Sequence, residues 1–301
     1  MATLTLYIVS DGKPGHLAQS RGLAHAIQRV MPARLMEIEA DGKRVAPQPE
    51  QGAGLILAAG RGTHSMAISL RKYLGVPAVA LMDPGWLGRQ RFDLAIIPKH
   101  DGVSPSQTVI VTEGALNGMV TATGASIEQG LLLIGGPSKH YRWDADQIEK
   151  QLGTILEWDG SIRWTVTDSR RTPKTTSIDL QQLADKSDGR LDYTPATQTP
   201  DGWVALQLQR CGLCWVTEDS VSMVYEALTS GARVGLLPVP RVGKASRVAR
   251  GVESLLERGW VTRYEDWAHG KPLPEDRPAL NEADRVAKLV IERFGLSEHE
   301  A

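Results

Sequence analysis

Leu4-Thr-Leu-Tyr-Ile-Val9, running straight into Ser10-Asp11-Gly12-Lys13-Pro14-Gly15, decides the fold of this chain. The first six residues combine leucine with β-branched and aromatic side chains, as strands do. The next six form a turn cluster that neither a helix interior nor a central strand tolerates. A helix follows, because Leu23, Ile27 and Val30 repeat at the i, i+4, i+7 spacing of one buried face and Pro32 closes the segment. Leu35–Ile38 reads as a second strand and Gly54–Ala59 as a third. Beyond the turn Gly60-Arg61-Gly62-Thr63, a helix over Ser65–Leu74 and a strand over Val76–Met82 complete a βαβ unit. Asp93–Ile97 and Thr108–Val111 supply two further short strands. Strands alternating with helices of this length predict a parallel sheet with helices on both faces, and ligands outside the carboxyl ends of its strands.

The plan then restarts. Composition loosens through Thr121–Gly130, and a strand at Leu131–Ile134 is followed at once by Gly135-Gly136-Pro137-Ser138. The domain boundary is therefore drawn between residues 125 and 126, giving domains 1–125 and 126–301. The second half reads as a helix over Asp144–Leu156, a strand over Ile162–Val166 and a helix around Asp179–Leu183, then the unassigned polar stretch Ala184–Asp201. Strand Cys214–Thr217, helix Ser220–Thr229, strand Val234–Leu237 and helices near Ala245–Arg258 and Asn281–Phe294 complete it. The last of these helices is free to pack back on the first domain.

A chain of 301 residues, at about 150 per domain, accommodates two such domains. Thirty-four Lys and Arg against 35 Asp and Glu leave a net charge of −1, so no global field would hold the chain on nucleic acid. Two cysteines rule out a disulfide scaffold. The longest apolar stretches, such as Leu55–Ala59 and Val76–Met82, fall far short of the roughly 18 residues that span a bilayer. The N-terminus has neither the basic nor the apolar region of a signal peptide. The expected compartment is the cytoplasm, without a transmembrane segment.

Three turns carry candidate chemistry. In Asp11-Gly12-Lys13-Pro14-Gly15-His16, small residues let backbone amides approach a ligand at a helix N-terminus. The turn lacks the second glycine of G-x-G-x-x-G and the Gly-Lys-Ser/Thr end of a P-loop, which argues against nicotinamide and P-loop chemistry. A tight βα turn alone would explain its glycines; His16 adds a neutral imidazole that can take a proton from a ligand hydroxyl. In Gly135-Gly136-Pro137-Ser138-Lys139-His140, the cation would neutralise a pyrophosphate while Ser138 and exposed amides donate hydrogen bonds. A proline turn with a solvated lysine is the plainer account. The third, Val216–Gly231, joins a strand end, a hydroxyl-rich turn and a helix. Asp219 or Ser220 can cap that helix, and Glu226 stands about two turns in, where a carboxylate can accept hydrogen bonds from both hydroxyls of a ribose. A capped amphipathic helix with a solvent-facing glutamate is its alternative.

Three other motifs read as structure. Cys211-Gly-Leu-Cys214 leads into a strand, where a redox pair would begin a helix, and no second pair exists for zinc. Asp144-Ala-Asp146 has the Asp-x-Asp form of metal-dependent sugar transferases, yet Asp144 with Gln147 reads as an N-cap and its capping-box partner. Arg241, Lys244, Arg247 and Arg250 have helical spacing and read as a solvated face, its first members within reach of a phosphate or a membrane surface.

Together the three turns resemble those of the two-domain GT-B glycosyltransferases, above all the lipid-linked N-acetylglucosamine transferases of cell-wall synthesis. Gly15-His16, Gly136-Pro137-Ser138, and Ser222 with Glu226 occupy the matching places. Further motifs are Ser10–His16 with Gln19-Ser20, Phe92-Asp93 with Pro98-Lys-His-Asp101, Gly114-Ala-Leu-Asn117, Gly135–Lys139 and Val216–Met223. On these the chain is similar to the mitochondrial-fission "elongated mitochondria" family, in its bacterial form.

The resemblance implies two Rossmann-like α/β domains facing a central cleft, a GT-B-like fold, with an acceptor-side first domain and a second that binds a nucleoside-diphosphate sugar. It implies nucleotide-sugar contacts at Gly15, Gly136, Ser138, Lys139, Asp219, Ser220, Ser222 and Glu226, and a general base at His16. His100 and Asp101 would orient the acceptor, a buried structural pair being the equal alternative. The expected activity is transfer of a sugar to an unidentified acceptor, a cell-envelope glycan or lipid met at the inner membrane. Loop amides and helix dipoles would hold the leaving diphosphate, so neither a cofactor nor a metal is required. Two other outcomes stay open: a sugar-nucleotide epimerase on the same architecture, and a non-catalytic nucleotide-binding scaffold acting in membrane dynamics.

Overall fold

The computed structural model describes residues 3–41, 54–243, 247–275, 277 and 280–296. The chain splits into one compact unit of Met1–Gly118 with Asn281–Ala301 and another of Met119–Leu280. The division falls a few residues before the boundary drawn from sequence, because the intervening segment bonds into the second unit: Ala122 N donates to Ser230 O at 2.8 Å and Thr121 Oγ1 to Thr229 O at 3.2 Å.

In the first unit, strands β1 (Leu4–Ser10), β2 (Ala33–Glu39), β3 (Gly54–Ala59), β4 (Ala78–Leu81), β5 (Leu94–Pro98) and β6 (Val109–Thr112) alternate with helices α1 (Pro14–Val30), α2 (His64–Leu74) and the short α3 (Trp86–Arg89). The strands form a parallel sheet in the order β2-β1-β3-β4-β5-β6. Both faces are covered, so β1 and β3 are apolar at successive positions rather than alternating. Leu6, Ile8, Leu55 and Leu57 enter one core with Leu23 and Ile27 of α1; Tyr7, Val9, Ile56 and Ala58 enter the other with Ala67 and Leu70 of α2. Each large aliphatic side chain so buried contributes about 2 kcal/mol. Pro14 starts α1 where its missing N–H costs nothing.

The second unit follows with β7 (Ser126–Leu133), α4 (Ala145–Trp158), β8 (Arg163–Thr167), α5 (Lys174–Asp185), β9 (Leu191–Thr194) and α6 (Trp203–Leu208). It continues through β10 (Cys211–Thr217), α7 (Val221–Ser230), β11 (Arg233–Leu237), α8 (Arg247–Glu257), β12 (Thr262–Arg263) and α9 (Tyr264–Ala268). Its parallel sheet runs β12-β11-β10-β7-β8-β9. The final helix α10 (Glu282–Arg293) belongs to the first unit, where Val286 and Val290 join the core under α1 and Arg29 Nε donates to Asp284 at 3.1 Å.

Several sequence expectations change here. Strand β7 begins at Ser126, not Leu131, because its first half is solvent-facing, with Ile127 54% exposed. The unassigned stretch contains the edge strand β9, and α3 and α6 are additional. The basic run is not a plain solvated face: Arg241 pairs with Glu218 at 2.9 Å and with Glu253. Lys244 and the Arg247 side chain lie outside the described residues. In β10 a register irregularity after Cys211 brings Cys211 and Cys214 into one core, although a regular strand would send them to opposite faces. Burial pushes both thiols up, Cys211 to about 11, which suits packing rather than reactivity. Asp144 caps α4 by accepting from Gln147 N at 3.1 Å, while the Gln147 side chain turns to Pro238 O.

Candidate functional site

In the first sheet the chain leaves β1 toward one edge and β3 toward the other, so the strand order reverses between them and a crevice opens at their carboxyl ends. The turns after β1 and β3 meet there. His16 Nδ1 lies 3.0 Å from both carboxylate oxygens of Asp11. A β-carbon on Gly60, which has φ +80°, would stand 2.1 Å from the His16 ring; one on Gly62 would stand 2.9 Å from Asp11 Oδ2. The imidazole therefore rests against bare backbone. When Nδ1 carries the proton, Asp11 accepts it in a hydrogen bond and the lone pair sits on Nε2, for which the described residues provide no partner.

The Asp11 carboxyl titrates below its ordinary value: burial pushes it up, but hydrogen bonds from His16 and from the Lys13 amide and side chain outweigh that. Lys13 Nζ stands 3.3 Å away. His64, at the start of α2, sits edge-on to Phe92 at 5.2 Å. Burial, then the charges of Arg61 and His16, make its imidazole less basic and keep it neutral.

In the second sheet the reversal lies between β7 and β10. Three turns interlock at their carboxyl ends: 134–138 after β7, 168–173 after β8 and 217–220 after β10. Gly135 N donates to Thr217 Oγ1 at 2.8 Å and Gly136 N to Asp219 Oδ2 at 3.0 Å. Arg171 spans the turns, donating to Gly136 O at 2.8 Å, Asp219 Oδ2 at 2.8 Å and Ser220 Oγ at 3.0 Å. Thr172 Oγ1 donates to Gly135 O. The Asp219 side chain is fully covered, and its other oxygen, Oδ1, has no hydrogen-bond partner among the described residues.

Ser220 is thus committed to Arg171 and Asp219 and makes no capping bond, so the first-turn amides of α7 have no side-chain cap. That corrects the expected cap and leaves the start of a ten-residue helix open to an anion. Two turns on, Glu226 is partly buried and has no pairing group among the described residues; burial alone pushes its carboxyl up to about 7.

The expected site residues divide accordingly. Gly136, Asp219 and Ser220 come together, but as a locked turn whose glycine amides are already used, not as free donors to a pyrophosphate. Ser138, Lys139 and Ser222 are exposed; Ser138 Oγ accepts from His140 N at 3.2 Å. Gly15 has open space around its α-carbon and no close approach that demands a glycine. His100 and Asp101 are half-buried on a single 3-10 turn, Lys99–Asp101, at the carboxyl end of β5. Sequence reading gave no role to Asp11, His64 or Arg171. Only Asp11 had a signal, five residues before His16 across the same turn.

Solved structures share this architecture at low identity. A putative UDP-N-acetylglucosamine 2-epimerase from Listeria monocytogenes aligns at TM-score 0.63 and 11% identity, covering 99% of this chain and 98% of that one. The UDP-GlcNAc 2-epimerase of Methanocaldococcus jannaschii aligns at 0.57 and 10%, over 96% and 99%. S. aureus MnaA, solved with UDP, aligns at 0.52 and 13%, over 100% and 99%. At such identities the likeness speaks for the fold, which is GT-B-like α/β. No curated protein matches the sequence. No helix among the described residues is long and apolar enough to cross a membrane. The family described as mitochondrial fission ELM1 matches over residues 14–294, a span that takes in His16, Arg171 and Glu226, and the chain belongs to that family.

Proposed function

We propose that the protein is a GT-B glycosyltransferase that draws its sugar from a nucleoside diphosphate. The observation that carries this reading is Glu226, a partly buried carboxylate without a partner among the described residues, on the helix whose start is uncapped. Burial raises its carboxyl to about 7, its acceptor oxygens are uncommitted, and the vicinal hydroxyls of a ribose supply two donors to them. The uncapped start of α7 takes the diphosphate, with Arg171, Ser138 and Lys139 on neighbouring turns adding charge and donors.

In the transfer step an acceptor oxygen bonds to the anomeric carbon and gives its proton to His16 Nε2, while the bond from that carbon to the diphosphate oxygen breaks. The charge left on the diphosphate is met by the α7 amides and Arg171. Asp11 stabilises the imidazolium that forms. His100 and Asp101 belong to the acceptor side.

Calorimetry with UDP, ADP, GDP, CDP and dTDP tests the pocket. At least one is expected to bind, and Glu226→Gln, which keeps the shape but loses one acceptor oxygen, weakens it about tenfold or more. No binding at millimolar ligand, or equal affinity in the variant, overturns the assignment. Incubation with labelled sugar nucleotides then decides the reaction, because an epimerised nucleotide sugar in place of a transferred one replaces this reading.

A further inference from the structure

Toward the amino ends of β8, β10 and β11, away from the carboxyl-end crevice, the second unit contains a cavity of about 260 Å³. It is built around four of the protein's eight tryptophans. Trp164 and Trp215 lie on the sheet because the neighbouring strand positions are glycine: a β-carbon on Gly130 would come 2.2 Å from the first ring, and one on Gly235 2.3 Å from the second. Trp267 packs on Trp215 with ring centroids 5.0 Å apart, and Trp158 packs on Trp267 at 4.6 Å. An aromatic stack thus runs from the core to the surface and ends in Trp158, 57% exposed at the cavity wall.

Four ionisable residues share the lining, two of each sign: Asp159, Arg233, Lys271 and Glu275. Arg233 pairs with Glu275 at 2.6 Å, Lys271 with Asp266 at 3.9 Å, and Asp159 accepts from the Ser161 amide and hydroxyl at 2.9 and 2.7 Å. The four lining charges sum to zero, and with Asp266 beside Lys271 to −1, so no strong field of one sign selects an ionic ligand. A purely hydrocarbon ligand would strip water from four charged groups without replacing its hydrogen bonds. What fits an open indole face ringed by both donors and acceptors is a flat ring with an apolar C–H face and a hydroxyl edge. The volume lies just below the range of about 300–1,000 Å³ usual for drug-sized ligands, which suits a single ring.

We propose that this cavity binds one neutral pyranose unit of a glycan, stacked on Trp158 and hydrogen-bonded by its hydroxyls to Asp159, Arg233, Lys271 and Glu275. The site is separate from the nucleotide pocket and stands whether or not that pocket is correctly read.

Methyl glycosides of glucose, N-acetylglucosamine, galactose and mannose, titrated into the ¹⁵N-labelled full chain, are followed through the indole N–H resonances. At least one is expected to bind saturably in the millimolar range and to shift Trp158 and Trp267. Trp158→Ala, at a surface position, weakens that binding about tenfold or more, and Glu275→Gln about two- to fivefold. Absence of a saturable shift up to about 50 mM glycoside, or shifts unchanged in both variants, overturns the proposal. So does tighter binding of p-cresol than of every glycoside, which would make the cavity an apolar-ligand site.

Discussion

Both sheets reverse their strand order beside a glycine turn, yet the two glycines admit different neighbours. Gly60 makes room for a side chain, the imidazole of His16; Gly136 makes room for backbone, the carbonyl of Arg171, whose carbon would lie 2.4 Å from an added β-carbon. A glycine that admits a ring leaves that ring's far nitrogen available, so the first crevice presents a proton acceptor. A glycine that admits backbone closes the turn on itself. The second crevice therefore has its loop amides already bonded, and offers instead an uncapped helix, a guanidinium and a partly buried, unpaired carboxylate. On the function proposed above, one topology serves proton transfer in the first unit and anion and diol binding in the second.

The largest effect that separates the two belongs to His16. His16→Gln is expected to cut donor turnover by about 10²- to 10⁴-fold while leaving nucleotide affinity within about twofold. Asp11→Asn, which weakens the hold on the Nδ1 proton, falls between that variant and wild type. Steady-state turnover and calorimetry on the same preparations check this. A matching loss of nucleotide affinity in His16→Gln would erase the division of labour.

Next comes a stability effect confined to the second crevice. Burial raises the Glu226 carboxyl from 4.5 to about 7, so between those values the folded protein holds a proton that the unfolded chain has released. Stability therefore falls as pH rises through that window and is flat above it, the ionised form costing the fold up to about 3 kcal/mol. Glu226→Gln removes the slope: its gain in melting temperature over wild type is near zero at pH 4.5 and largest at pH 8. A gain independent of pH would mean that Glu226 is solvated, and the diol pocket would fall with it.

How much of this could be read beforehand follows from where each signal resides. Strands such as β1 and β3 are buried on both faces, so their apolar runs, broken only by Thr5 in β1, are legible. The first half of β7 and the edge strand β9 expose much of their surface and carry no such run. His16 and Glu226 were visible because each follows a strand end at a fixed local offset. Arg171 was not, since its bond to Asp219 joins positions 48 residues apart and no local pattern encodes it. The occupied amides of Gly135 and Gly136 were hidden for the same reason: their acceptors lie 82 and 83 residues away.

The smallest effects come from the glycines themselves. At Gly136 a β-carbon meets the Arg171 carbonyl and the Thr172 nitrogen, which cannot rotate aside, so Gly136→Ala must move a turn and costs about 1–3 kcal/mol in denaturant unfolding. At Gly60 the obstacle is a side chain that can swing away, and the remaining penalty is the backbone at φ +80° and ψ 156°, a region almost confined to glycine, about 1–3 kcal/mol. The consequence there is chemical: the His16 ring leaves Asp11, its Nδ1 proton loses protection from exchange, and turnover falls toward that of Asp11→Asn. Were Gly60→Ala to keep the His16 signal and the turnover of wild type, the ring would not depend on bare backbone, and the contrast between the crevices would have to rest on Arg171 and the α7 helix alone.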